Sequence, residues 1–384
     1  MLASCSSADD AFHPSELTPT SPPNDDDVGI TPTHDAGAVD AEHDDARASD
    51  APLAEVDSGA TTVDALSDAR DPLDTGPTAD PCAAAHDRIV DVATAAALTS
   101  ALSAATPGTR IVLADGSYKG TFTLAASGTI DKPIALCGSR AAILDGGGTS
   151  GGYVLHLNKA SHVVVSGLTL TNAGKGLVLD GSSDDLLIGI DVHGIGEEGV
   201  HLRAGSSRNV LRDSLVHDTG LVSPGFGEGV YIGSALSHWA DFTGSSTTPD
   251  KCDQNKVLAT TIGPNVGAEE IDVKEGTTGG EIRGNTFDGK GMSGANFADS
   301  WMDVKGNGYV IEGNHGQDSL NDGFQTHVVL AGWGNDNVFR ANVAKVNGPG
   351  YGVRVDPKST GTIVGCDDVV TGAALGASNV KCAP

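Results

Sequence analysis

Two short segments hold side chains able to do acid–base chemistry on a charged substrate. They are Ile271-Asp-Val-Lys274 and Met302-Asp-Val-Lys305, each with an aspartate and a lysine two residues apart. In an extended chain, residues two apart share a face, so Asp272 stands beside Lys274, and Asp303 beside Lys305. A carboxylate and an ammonium placed this way can take a proton, give one up or hold an anion. The frame recurs with other reactive side chains: His201 and Arg203 in Val200-His-Leu-Arg203, Tyr231 in Val230-Tyr-Ile-Gly233, Gln325 and His327 in Phe324-Gln-Thr-His327, and Arg354 and Asp356 in Val353-Arg-Val-Asp356.

With Leu177-Val-Leu-Asp180, seven such segments follow one another at intervals of 22 to 41 residues. Alternation within each says half-buried strand, and repetition at the longer interval says a solenoid, whose single turns cannot bury their apolar faces alone. The expected fold is all-β, a single-stranded right-handed parallel β-helix. Equivalent residues of successive turns then lie about 4.8 Å apart, so the outward residues form two columns. One runs Val178, His201, Tyr231, Asp272, Asp303, Gln325, Arg354; the other runs Asp180, Arg203, Gly233, Lys274, Lys305, His327, Asp356. This reading makes Val273→Asp an unfolding substitution and Asp272→Val one that leaves the protein folded but impaired.

The chain's net charge of −28 is unevenly spread, since residues 1–81 hold 19 Asp and Glu against two Arg, a net of −17, leaving −11 for residues 82–384. The acidic segment, rich in Asp, Ala, Thr and Pro, cannot bury enough apolar surface to offset its chain entropy and is expected to be a disordered linker. Residues 82–384 suffice for one β-helix domain. Their acidic balance argues against nucleic acid as a partner, so an acidic polymer would have to bind through the local basic column. Leu2-Ala3-Ser4-Cys5 is similar to a lipobox, which makes Cys5 a candidate lipid anchor, the one expected link to a membrane, on an extracytoplasmic, monomeric protein.

Of the other cysteines, Cys82 and Cys137 fall near the first turn and Cys366 and Cys382 near the last; disulfides there would close the two ends, with Cys252 left as a buried thiol. The run Asp91-Val-Ala-Thr-Ala-Ala-Ala-Leu-Thr-Ser-Ala-Leu-Ser reads as a helix capping the first turn. A second strand set begins at Val163, Val210, Glu281, Val310 and Val338, and Asn285, Asn314 and Asn342 repeat within it as a structural ladder. Two insertions, 234–254 and 290–300, flank the polar columns and are expected to wall a groove, with Trp239 and Trp301 as sugar-stacking platforms.

The segments Gly227-Glu-Gly-Val-Tyr-Ile-Gly-Ser, Glu269-Glu-Ile-Asp-Val-Lys274, Ile282-Arg-Gly-Asn-Thr-Phe287, Met302-Asp-Val-Lys-Gly-Asn307 and Ile311-Glu-Gly-Asn314 follow in the order seen in the chondroitinase B and alginate lyase family of β-helix polysaccharide lyases, which this chain resembles. Ile111-Val-Leu-Ala-Asp-Gly-Ser-Tyr and Asp131-Lys-Pro-Ile extend the resemblance, which covers most of residues 105–345. The chain is also similar to uncharacterised secreted bacterial β-helix proteins. The family resemblance implies Lys274 as the base, and it implies Ca²⁺ held by Asn and Glu, with Glu269 and Glu270 as the acidic pair and Asn265 as a candidate. Lys305 stands where the family has Arg, so a point charge replaces a planar fork.

Independently of that resemblance, β-elimination from a uronide needs its carboxylate neutralised, its C5 proton removed and its leaving O4 protonated. Lys274 and Lys305 on adjacent turns repel, which is expected to lower a lysine pKa toward that of a useful base, although Asp272 and Asp303 oppose this unless a cation occupies them. Tyr231, His201 and Lys305 are candidate proton donors, and His201, Arg203, Tyr231, Gln325, His327 and Arg354 candidate substrate contacts. Two other readings stay open: a glycoside hydrolase with Asp272 and Asp303 as its carboxylates about 5 Å apart, and a glycan-binding β-helix without turnover.

Overall fold

The computed structural model describes residues 81–83 and 86–384. Nearly all of the acidic segment, Cys5 included, lies outside them. None of the described helices is long and apolar enough to cross a membrane.

The chain winds into a parallel β-helix. Successive turns contribute one strand each to three sheets of 11, 10 and 10 strands, and within every sheet the strands neighbour one another in chain order. Leu177, Val200, Val230, Ile271, Met302 and Phe324 stack inward in a single column of one ten-stranded sheet. All six are buried, as alternation requires. The strand set beginning at Val163, Val210, Glu281, Val310 and Val338 lies in the 11-stranded sheet.

The third sheet is the one that sequence patterning misses. Its central strands, such as Asp191–His193 and Leu215–His217, are only two or three residues long, too short to display alternation. Each is separated from the preceding strand of the 11-stranded sheet by a short corner, as at Gly189–Ile190 between Leu186–Ile188 and Asp191–His193.

Asparagine joins the turns beside that corner. The Asn285 amide donates to Asn314 Oδ1 at 3.0 Å, and Asn314 donates likewise to Asn342 at 3.0 Å. Asn209 and Asn255 form a similar step at the opposite end of the same sheet's strands, just before Val210–Arg212 and Lys256–Leu258. Each side chain also satisfies buried backbone groups, so the ladder is structural.

At the N-terminal end, the helix Ala95–Ser103 covers the first turns with Leu98, Ala101 and Leu102. It starts later than the sequence run suggests, because Asp91 and Val92 belong to the strand Arg88–Val92, paired with Thr109–Leu113. Thr94 caps the helix, its hydroxyl accepting from Ala97 N at 3.2 Å. Disulfides join Cys82 to Cys137 and Cys366 to Cys382, one at each end, and Cys252 is buried and free.

Candidate active site

The outer columns form in the expected register. His201 pairs with Tyr231, Tyr231 with Asp272, Asp272 with Asp303, Asp303 with Gln325 and Gln325 with Arg354. A third column runs beside them. It consists of the residues two positions before each inward apolar residue: Lys175, Glu198, Glu228, Glu269, Ser300 and Asp322. The strand template, which starts at the apolar residue, leaves Glu198 and Glu228 out, although the Glu-Gly-Val that recurs at both is visible in the sequence.

The columns face outward, yet their central carboxylates are closed to solvent, Asp272 being only 1% exposed, while Tyr231, Lys274, Lys305 and His327 stay partly exposed. Their charges pack against one another. Lys274 Nζ lies 2.5 Å from Asp272 Oδ2, and Lys305 Nζ lies 2.7 Å from Asp272 Oδ1 and 3.1 Å from Asp303 Oδ2. Asp303 is further held by Ser300 Oγ, donating at 2.9 Å, and by His327 Nε2 at 3.2 Å.

This arrangement overturns the expected lysine pKa. Burial is the largest single influence and pushes both ammonium groups down, but the carboxylates together outweigh it, Asp272 first, with Glu228 at Lys274 and Asp303 at Lys305, and both finish well above the ordinary lysine value. Repulsion by Lys274 is felt at Lys305 but is the smaller influence there. The Asp303 carboxyl would be raised by burial, yet Lys305 and His327 hold it well below the usual range. Glu228 goes the other way, pushed up to about 8 by burial and then by Glu198. Burial, then Asp272, also raises Glu269 well above normal. At neutral pH Lys274 and Lys305 therefore stay charged and Asp303 stays ionised, while Glu228 keeps its proton.

Tyr231 stands in the middle of this group. Lys274 Nζ sits 4.7 Å from its ring centre, and His201 packs edge-on against the same ring at 4.4 Å. His201 in turn bonds the Gly233 carbonyl through Nε2 at 3.0 Å. Burial and then Asp272 raise the Tyr231 pKa well above normal, so the phenol keeps its proton. One turn away, Arg203 bonds Asp180 at 2.7 Å and the Tyr153 hydroxyl at 2.7 Å, under the Phe242 ring at 4.8 Å. Gln325 donates to Asp299 at 2.6 Å, and Arg354 is half-buried at the far end of its column.

The expected cation ligands do not converge. Asn265 donates to Asp218 at 2.8 Å, and Glu270 is buried at a corner with neither carboxylate oxygen hydrogen-bonded. Glu228, Glu269 and Asp272 do come together, with one oxygen of each within 4.8 Å of the others, and could hold a cation. Both oxygens of Asp272 are also engaged by the Lys274 and Lys305 ammonium groups.

The two tryptophans are corrected as well. Trp239 is buried, its Nε1 donating to the Ser234 carbonyl at 3.1 Å. Trp301 is fully buried, donating to Gln317 O at 3.1 Å and packing edge-on against Phe324. Its indole fills the space above two glycines, where a Cβ would stand 2.4 Å away at Gly316 and 2.7 Å away at Gly323. Neither ring can stack on a sugar from there. Trp301→Ala is accordingly expected to lower stability by about 3–5 kcal/mol, read by denaturant melts, with substrate affinity unchanged wherever the protein remains folded. Exposed aromatic surface lies elsewhere, on the second insertion and on the short helix Pro224–Phe226. Phe297 is 85% and Phe226 43% exposed, on two short segments joined by the Asn296 side chain donating to Gly225 O at 3.1 Å.

A parallel β-helix with acid–base side chains set along one outer sheet is the frame of the β-helix polysaccharide lyases, and the chain belongs to that family. It is similar to an alginate lyase from Paenibacillus sp. strain FPU-7, with 38% identity over 77% of this chain and 99% of that one and a TM-score of 0.71. The pectate lyase Pel9A, 15% identical with a TM-score of 0.52 over 78% of this chain and 80% of that one, shares the fold. So does PfbA, a surface adhesin of Streptococcus pneumoniae, at 12% identity and a TM-score of 0.51 over 74% of this chain and 75% of that one. No protein-family model and no curated protein matches the chain.

Proposed function

We propose that the protein cleaves a uronate-containing polysaccharide by β-elimination, with alginate the first substrate to test. The observation that carries this reading is the Lys274 ammonium over the Tyr231 ring, fixed by Asp272. Lys305 neutralises the uronate carboxylate. Lys274, as the amine, takes the C5 proton; the C5–H electrons form the C4=C5 double bond, the C4–O4 bond breaks, and the Tyr231 phenol protonates O4. A proton passing from the Lys274 ammonium to the Tyr231 phenolate restores the site. Asp272 and Asp303 position the lysines, and their engagement by Lys274, Lys305 and His327 leaves neither free to act as the acid of a carboxylate pair. His201, Arg203, Gln325, His327 and Arg354 line the substrate path, and Phe226 and Phe297 offer aromatic faces to sugar rings.

Because Lys274 rests as an ammonium with a raised pKa, the amine form grows with pH. The expected result is a kcat/KM that climbs from about pH 7 to about pH 10 without a plateau, followed through the ultraviolet absorbance of unsaturated uronate. A plateau at neutral pH would exclude Lys274 as base. In the same assay, new reducing ends without unsaturation would identify a hydrolase, and binding without either product a glycan-binding protein. Ca²⁺ at Glu228, Glu269 and Asp272 would have to displace an ammonium, so we assign the neutralising charge to the lysines and expect turnover to survive chelation.

Two end disulfides and lyase relatives support a place outside the cytoplasm, with residues 1–81 as a spacer, Cys5 as the anchor and the β-helix acting as a monomer.

A further inference from the structure

Asp191, His193 and His217 meet on the third sheet, away from the strands that carry Asp272 and Lys274. Asp191 and His193 lie two apart on the outer face of one strand, and His217 occupies the paired position on the next turn, so the register itself stacks the imidazoles. Their centroids are 4.9 Å apart and their planes differ by 15°. Asp191 Oδ1 lies between them, 2.9 Å from His193 Nδ1 and 3.4 Å from His217 Nε2. The other Asp191 oxygen is turned to Arg140 at 3.3 Å.

We propose that these three residues bind a divalent transition metal of the Zn²⁺ class. Two imidazole nitrogens and one carboxylate oxygen are a donor set suited to such ions rather than to Ca²⁺ or Mg²⁺. A tetrahedral ion about 2.0–2.1 Å from each ligand leaves the ligands about 3.3 Å from one another. The 2.9 Å and 3.4 Å contacts already have that size. All three donor atoms lie within 4.8 Å, so only the edge between the histidines has to close, by rotation of partly exposed rings.

The surrounding shell matches a metal site too. His217 Nδ1 lies 2.5 Å from Asp218 Oδ2, and Asp218 Oδ1 accepts from Asn265 Nδ2 at 2.8 Å. A carboxylate on the distal nitrogen is what orients a metal-binding imidazole and presents its Nε2 to the ion. His217 therefore has carboxylate oxygens at both nitrogens. A neutral imidazole has one N–H to give, so either a second proton or a metal cation at Nε2 completes the pairing. Three protein ligands leave one position for water, and nothing in the site depends on the lyase chemistry.

The test uses the full chain at about pH 7.5, titrated with Co²⁺ as a visible probe of coordination and then with Zn²⁺. The expected result is one Co²⁺ with four-coordinate absorption, displaced by Zn²⁺. His193→Ala with His217→Ala should remove that ion, and Asp218→Asn should weaken it by about 10–100-fold. Alginate turnover should stay at the wild-type level in the metal-free protein. If the double variant does not fold, His193→Gln alone should still lower affinity by at least about 10-fold. Equal binding by wild type and variants, including binding by the histidines of the acidic segment only, would overturn the proposal. So would absence of Co²⁺ binding by the wild type.

Discussion

Lys274→Ala is expected to suppress formation of unsaturated product by at least about 10³-fold, with the β-helix intact by circular dichroism. The fold survives because Asp272 keeps Lys305 at 2.7 Å, so removing the Lys274 ammonium strands no carboxylate. Tyr231→Phe is the companion. It keeps the ring that packs on His201 and carries Lys274, and removes only the hydroxyl, so it should cost about 10²–10⁴-fold in kcat with little change in melting temperature. Near-normal turnover by Lys274→Ala would eliminate the lysine-base scheme. Retained activity in Tyr231→Phe alone would instead move the proton donor to His201 or Lys305.

The second large effect concerns the wall between core and site. Val273 points into the fully buried interior, one residue from Asp272. Val273→Asp places a carboxylate there with no partner, and the several kcal/mol this costs rivals the whole stability of a domain, so the variant should not fold. Asp272→Val, which by the sequence pattern leaves the protein folded but impaired, is a destabilising change in the structure. Asp272 is buried and holds two ammonium groups, and removing it should cost about 3–5 kcal/mol through stranded lysines. Both variants are compared by soluble yield and denaturant midpoint. Folding of Val273→Asp at wild-type stability would reverse the inside and outside assignment. An unchanged midpoint in Asp272→Val would mean the lysines are not held as described.

How far a sequence reaches is clearest in this same strand. Alternation assigns Val273 to the core and Asp272 and Lys274 to one outer surface, because strand geometry alone fixes that choice. It cannot say that the outer surface is covered, since the burial comes from side chains of three neighbouring columns packing together. The lysine pKa goes astray for that reason: repulsion between Lys274 and Lys305 is readable, whereas the shared bond to Asp272 depends on rotamers. Trp301 stands beside the site in the chain but turns the other way, because two glycines on other turns, Gly316 and Gly323, open the space it fills. Glu228 is legible through its repeated Glu-Gly-Val, outside the strand template. Asn265 is separated from Glu269 by a turn whose path no local pattern reveals.

The two end disulfides have a consequence for how long the protein lasts. In a stack where each turn rests only on its neighbours, loss of order begins at a terminal rung and travels inward like an opening zipper. Cys82–Cys137 and Cys366–Cys382 lock the rungs where that fraying would start, across 55 and 16 residues of chain. The rungs proposed to carry catalysis, near the middle, are therefore guarded by covalent bonds far from them. A mild reductant that touches no active-site residue should shorten the working life of the enzyme under protease challenge while leaving its initial rate alone.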